Sequence, residues 1–165
     1  MKTLDLINNK KASIGVIGLG YVGLPLVIRF CEEGFNTYGF DIDSKKIKSL
    51  NASKTYIEHI SNNKIEFLKE NNFIASSNLS EVSNVDVIII CVPTPLGKHN
   101  EPDLSFIKST LKSISPHLKK EQLLILESTT YPGTTDEEII PYIEKLGFNI
   151  GINFFVGYSP EREDP

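Results

Sequence analysis

A short apolar run, Ser13-Ile-Gly-Val-Ile17, passes straight into Gly18-Leu-Gly20-Tyr-Val-Gly23, and a helical stretch follows. A bare GxGxxG arises by chance, but three accompanying features narrow what this one can be. A β-type run precedes it, a helix follows it, and an acidic residue closes the next β-type run. That residue is Asp41, 23 positions after Gly18, close to the spacing of a βαβ dinucleotide-binding unit. Gly18 permits a tight turn, Gly20 lets main chain approach a pyrophosphate, and Gly23 lets the helix pack close to the strand. The helix start then presents unpaired N–H groups and a partial positive charge to the phosphates. Asp41 is suited to accept hydrogen bonds from ribose hydroxyls and to repel a 2′-phosphate, so the cofactor expected is NAD rather than NADP. Pro25, within the first turns of this helix, has no explanation in the pattern.

The rest of the chain continues the alternation. β-type runs follow at Thr37–Phe40, Phe73–Ala75, Val85–Val92, Leu123–Leu126 and Phe154–Tyr158. The fourth and fifth are almost wholly apolar, as central strands buried on both faces must be. Helical stretches are expected from about Gly20 to Gly34 and, behind an Asp43 cap, over Lys45–Leu50. Others are expected around Ile65 to Asn71, behind an Asp103 cap from Leu104 to about Leu118, and from Thr135 or Asp136 to Gly147. Pro116 and Pro141 are expected to shorten or kink the last two. The chain of 165 residues has no repeat and no Pro/Gly/Ser-rich linker, and reads as one α/β domain. Its architecture is expected to be Rossmann-type and doubly wound, a mainly parallel six-stranded sheet with helices on both faces and residues 1–11 as an N-terminal extension.

Composition excludes other classes. A net charge of −4 argues against nucleic acid or an anionic membrane as partner. Val87–Pro93, the longest apolar run, is too short to span a bilayer, and Met1–Lys11 lacks a signal-peptide core. Two cysteines, Cys31 and Cys91, make no disulfide framework, which suggests a cytoplasmic setting. Both read as small core residues rather than nucleophiles. His59, His99 and His117 have no metal-ligand spacing, so no metal is expected.

In an open parallel sheet, ligands sit at the carboxyl ends of the strands. That directs attention to three loops. Cys91-Val-Pro-Thr-Pro95 offers Thr94, either at the cofactor or in a plain proline-rich turn. Glu127-Ser-Thr-Thr-Tyr-Pro-Gly133 offers three hydroxyls that suit a cofactor, a water or a helix cap. Tyr158-Ser-Pro-Glu161-Arg162-Glu-Asp-Pro165 is a charged run directly after an apolar strand.

These motifs, with Phe40-Asp-Ile-Asp43 and Tyr56-Ile-Glu-His-Ile60, occur in an order that resembles the NAD-binding domain of the UDP-glucose/GDP-mannose dehydrogenase family. The likeness covers nearly the whole chain after Ala12. The Tyr56–Ile60 segment and the Pro-Glu-Arg ending look most like the UDP-N-acetylglucosamine 6-dehydrogenase branch. The resemblance implies oxidation of the C6 hydroxyl of a UDP-N-acetylhexosamine to a carboxylate with two NAD, for surface polysaccharide biosynthesis. UDP-glucose and UDP-N-acetylmannosamine remain alternative substrates, and a non-enzymatic NAD-binding module an alternative role. By motif position, Gly18, Gly20, Tyr21, Val22, Gly23, Asp41 and Lys46 would bind the dinucleotide, with Thr94 and Thr129 near its nicotinamide half. Thr129 and Glu161 match residues that hold or activate the water hydrolysing a thioester, a task that needs a base. Glu161 and Arg162 would also face substrate. The family's nucleophilic cysteine belongs to a helical middle region and a UDP-sugar domain that this sequence lacks. The chain is therefore expected to bind NAD without turning over alone, and to be monomeric where the full enzyme is a homodimer.

Overall fold

Val87–Ile90 (β4) is apolar and buried at all four positions, which requires cover on both faces. The other strands are Ser13–Ile17 (β1), Asn36–Phe40 (β2), Ile74–Ser76 (β3), Leu123–Glu127 (β5) and Phe155–Ser159 (β6). In the computed structural model, which describes residues 2–97 and 101–160, these form one wholly parallel sheet in the order β3-β2-β1-β4-β5-β6. The order reverses between β1 and β4, so their carboxyl ends open a crevice there. All six strands fall where the hydrophobic runs place them. The fourth is shorter than its apolar run: Cys91 N–H still donates to Ile17 O (2.8 Å), and Pro93 and Pro95 lie beyond.

Strand alternation divides the core into two clusters. Ile14, Val16, Val87 and Ile89 face helices Gly23–Glu32 (α2), Ser44–Asn51 (α3) and Asn62–Glu70 (α4). Ile88, Ile90, Leu124 and Leu126 face Ser105–Ile114 (α5) and Ile140–Lys145 (α6). A residue such as Ile88, fully buried, contributes about 1.5–3 kcal/mol by leaving water. Among the described residues, no helix is long and apolar enough to cross a membrane.

The prolines mark where helices start and stop. Pro25 is the third residue of α2, close to its start, and supplies no N–H between the helical bonds from Leu24 N–H to Gly20 O and from Leu26 N–H to Val22 O. Pro116 lies in a 3-10 turn, Ser115–His117, that ends α5 at Ile114, short of the expected Leu118. Pro141 is the second residue of α6, and a wider π-type turn over Thr135–Ile139 leads into it. Asp43 caps α3 as expected, its Oδ1 accepting from Lys45 N–H at 2.8 Å.

The N-terminal extension is not a loose tail. Lys2–Asn8 forms a helix (α1) that docks on the edge of the domain opposite the crevice. Thr3, 2% exposed, donates its hydroxyl to Glu121 O just ahead of β5, and Leu6 and Ile7 pack on the first core cluster. Lys10 Nζ reaches the Glu33 carboxylate at 2.9 Å.

Candidate functional site

The loops that follow β1, β2, β4 and β5 meet on the carboxyl rim of the sheet. Gly18 ends β1 with φ +95°, and a Cβ there would stand 2.6 Å from Cys91 O. A Cβ on Gly23 would stand 1.8 Å from Gly18 O, so only glycine lets α2 begin this close to the turn. Gly20 is different: a Cβ there would meet nothing within 4 Å. Its bareness leaves open space rather than relieving a contact inside the protein. Among the described residues, no group accepts from the N–H of Gly20, Tyr21, Val22 or Gly23, and the first helical bond runs from Leu24 N–H to Gly20 O. Four successive free N–H groups around an open space make a cradle for an anion.

Asp41, 7% exposed, holds the turn from below. Its Oδ2 accepts from Leu19 N–H (2.9 Å) and from Lys46 Nζ (2.9 Å), and its Oδ1 accepts from Asp43 N–H (2.9 Å). A carboxylate has about four acceptor sites. Three are filled, which leaves one on Oδ1 for a sugar hydroxyl. The predicted pair Asp41 and Lys46 is thus one unit, since the ammonium offsets the charge that the loop must bury.

Two cavities share the floor formed by Gly20, Cys91, Val92 and Pro93. One, of about 350 Å³, extends past Asp41 and Lys46 to an apolar slot between Ile42 and Phe106. Ile42 is 83% exposed, an apolar side chain left in water at the mouth of that slot. The other, of about 440 Å³, extends past Tyr21 and Val22 to Thr94, Glu127 and Thr129. The two downstream loops are joined to each other. Thr94 Oγ1 donates to Thr129 O at 2.6 Å, and Ser128 Oγ donates to Val92 O at 3.0 Å. Ser128 therefore ties strand ends together, and no side chain caps the helix that follows. Cys31 lies on the buried face of α2, where burial pushes its thiol pKa up. Cys91 departs from the sequence reading. It stands one residue past β4, half-buried, in the wall shared by both cavities.

Gly18, Gly20, Tyr21, Val22, Asp41, Lys46, Thr94 and Thr129 come together along this crevice, and Gly23 lies buried behind it, packed on Gly18. Glu161 and Arg162 lie outside the described residues. Among the described residues, no group of three or more His, Cys, Asp or Glu side chains is placed to hold a metal ion. Sequence reasoning gave Tyr56 no role, although Tyr56 Oη donates to Leu19 O at 2.7 Å. Nor did it pair His59 with Tyr21, whose rings stack at 5.8 Å. Neither contact has a local signal, because the partners lie 37 and 38 positions apart.

The NAD-binding domain of the UDP-glucose/GDP-mannose dehydrogenase family matches residues 12–165. The chain belongs to that family. It is 41% identical over 154 residues to Protein CapL of Staphylococcus aureus, covering 93% of this chain and 35% of that protein. It is 38% identical over 157 residues to the UDP-N-acetyl-D-glucosamine 6-dehydrogenase of Pseudomonas aeruginosa, covering 94% and 36%. Among solved structures, the UDP-N-acetyl-mannosamine dehydrogenase Cap5O of Staphylococcus aureus superimposes with a TM-score of 0.86 at 36% identity. That match covers 93% of this chain and 38% of Cap5O. The chain thus spans little more than a third of the length of these relatives.

NAD, the cofactor of this domain family, fits the crevice on its chemistry. The bare space over Gly20 and the four free N–H groups suit a diphosphate, and the open acceptor on Asp41 suits a ribose hydroxyl. The apolar slot beside Ile42 matches a flat heteroaromatic base.

Proposed function

We propose that this chain is the cofactor-holding domain of a cytoplasmic enzyme that oxidises C6 of UDP-N-acetylglucosamine, or a close UDP-N-acetylhexosamine, to a uronic acid for surface polysaccharide precursors. One observation carries the reading: two cavities, of about 350 and 440 Å³, share a floor at Gly20 and extend to Asp41 on one side and to Thr94 and Thr129 on the other, one for each half of a dinucleotide. Bound NAD supplies a hydride acceptor.

The chain's own residues have separable tasks in this reading. Gly20, Tyr21, Val22 and Gly23 seat the diphosphate on main-chain N–H groups, and Gly18, its own N–H bonded to Phe40 O, makes the turn that presents them. Asp41, steadied by Lys46, takes the adenosine ribose and excludes a 2′-phosphate by charge repulsion. Thr94, bonded to Thr129 O, keeps the two loops at a fixed separation beside the nicotinamide end. Thr129 and Glu161 hold the water that hydrolyses the thioester left by the second oxidation, with Glu161 as its base. Glu161 and Arg162 also lead into contacts with the UDP-sugar. The nucleophile, most of the sugar site and a homodimer interface belong to parts of the enzyme beyond this sequence, so this chain by itself binds NAD and forms no product.

The sugar has a second reading, UDP-N-acetylmannosamine. It is supported by a relative of that name in Pyrococcus horikoshii, 36% identical over 155 residues, and by the likeness to Cap5O. NADH formation by the full product of the reading frame decides between them. UDP-N-acetylglucosamine is expected to give the highest kcat/KM, ahead of UDP-N-acetylmannosamine and UDP-glucose. A higher value with either of the others replaces this assignment. Calorimetric titration of this chain tests the cofactor half. NAD is expected to bind and NADP to bind at least tenfold more weakly, and equal binding removes the role given to Asp41.

A further inference from the structure

The loop between α3 and α4 touches the glycine turn through Tyr56 and His59. Ile57 and Ile60 anchor it in the first core cluster, and between them and α3 stands Tyr56. Its hydroxyl donates to Leu19 O at 2.7 Å, and neither Tyr56 nor Leu19 lines either cavity. Leu19 is fully buried, and its own N–H is bonded to Asp41 Oδ2. Both polar groups of Leu19 are therefore held by side chains from other parts of the chain.

The consequence lies in the next peptide plane. The carbonyl of Leu19 and the N–H of Gly20 belong to one trans peptide, so they point in opposite directions. A hydroxyl that holds the carbonyl toward the core aims the Gly20 N–H outward, into the space that no Cβ occupies. Without that bond, the plane between Leu19 and a residue lacking a side chain has little else to fix its rotation.

We propose that Tyr56 is a positioning residue for the cofactor: it sets the Leu19–Gly20 peptide so that the Gly20 N–H faces the diphosphate. The inference rests on the reading of this turn as the diphosphate seat. Tyr56 is well suited to a permanent donor role. Burial, with the nearby charges of Asp41 and Asp43, raises its pKa far above the ordinary phenol value and keeps the hydroxyl protonated. Lys46 Nζ, 5.8 Å from the ring centroid, packs on the same side chain. The residue that steadies Asp41 and the residue that steadies Gly20 thus support each other.

The test compares Tyr56→Phe with the parent chain against three probes: NAD, ADP and adenosine. NAD and ADP are expected to bind roughly fivefold more weakly or worse, the value of one hydrogen bond, while adenosine changes less than twofold. The Gly20 amide resonance of the ligand-free variant is expected to move. Unchanged NAD binding overturns the proposal, and so does equal weakening of all three probes, which would mark general damage. A crystal structure of the parent chain with NAD tests it without any variant. Gly20 N is expected within hydrogen-bond distance of a diphosphate oxygen while Tyr56 still holds Leu19 O; a rotated peptide overturns the idea. If NAD leaves the Gly20 amide of the parent chain unmoved, the seat itself has been misread, an outcome distinct from failure of Tyr56 alone.

Discussion

The three glycines of the turn make different predictions because a methyl group added to each meets different surroundings. At Gly23 it lands 1.8 Å from Gly18 O, a backbone atom that cannot swing aside. The usual helix gain of up to about 1 kcal/mol for Gly→Ala is then outweighed by overpacking. Gly23→Ala should lose about 2 kcal/mol or more of stability. At Gly18 the residue must hold φ +95° and approach Cys91 O at 2.6 Å, so Gly18→Ala should lose a similar amount. At Gly20 the methyl group meets nothing within 4 Å, so Gly20→Ala should be neutral or more stable by about 0.4–1 kcal/mol through the unfolded chain. It does, however, fill the diphosphate's approach. Losing one charge-assisted hydrogen bond, about 1.5–3 kcal/mol, weakens NAD by roughly tenfold to a hundredfold. Urea unfolding followed by circular dichroism, with calorimetric NAD titration, separates the two effects. Parent-like NAD affinity in Gly20→Ala would refute the assignment of this space, and stability as poor as that of Gly23→Ala would refute the packing argument.

Asp41→Asn should cost about 1–3 kcal/mol in urea unfolding, because each oxygen accepts a backbone N–H and either amide orientation sets NH₂ against one of them. It should also narrow the gap between NAD and NADP affinity in calorimetry. The raised pKa of Tyr56 means the folded state favours the neutral phenol. Its stabilising share is complete below the unfolded value of about 10 and declines as pH rises toward the folded value. Tyr56→Phe should therefore flatten the alkaline limb of a stability–pH profile, and an unchanged limb counts against it. Thr94→Val deletes the bond to Thr129 O and should lower stability by about 0.5–1.5 kcal/mol, with NAD weakened and adenosine binding unaffected. The backbone N–H of Ser105 holds the Asp103 carboxyl below its usual pKa. The cap on α5 is then present above the ordinary value of about 3.9 and lost as pH falls through the lowered one. The protection of the Ser105 amide, its exchange rate measured against an unprotected peptide at the same pH, should fall in acid for the parent and be absent at every pH for Asp103→Ala.

The sequence alone determined the strands, the rim of the sheet on which the candidate site lies, and the acid that follows β2. Those properties follow from local rules: apolar runs must be covered, glycines must fill the turn, and an acid at the end of β2 reaches the same rim. Tertiary structure alone decided how the turn is held. Gly20's freedom from any neighbour, the filling of three of Asp41's four acceptor sites, and the grip of Tyr56 on Leu19 O are contacts between segments far apart along the chain. The docking of α1 is of the same kind, since a helix of seven residues is too short to declare its face and is fixed by Thr3 meeting Glu121, 118 residues away, and by Leu6 and Ile7 on the first core cluster. Spacing rules report what a segment can become. Which carbonyl faces which hydroxyl depends on how the layers stack, and no local pattern encodes that.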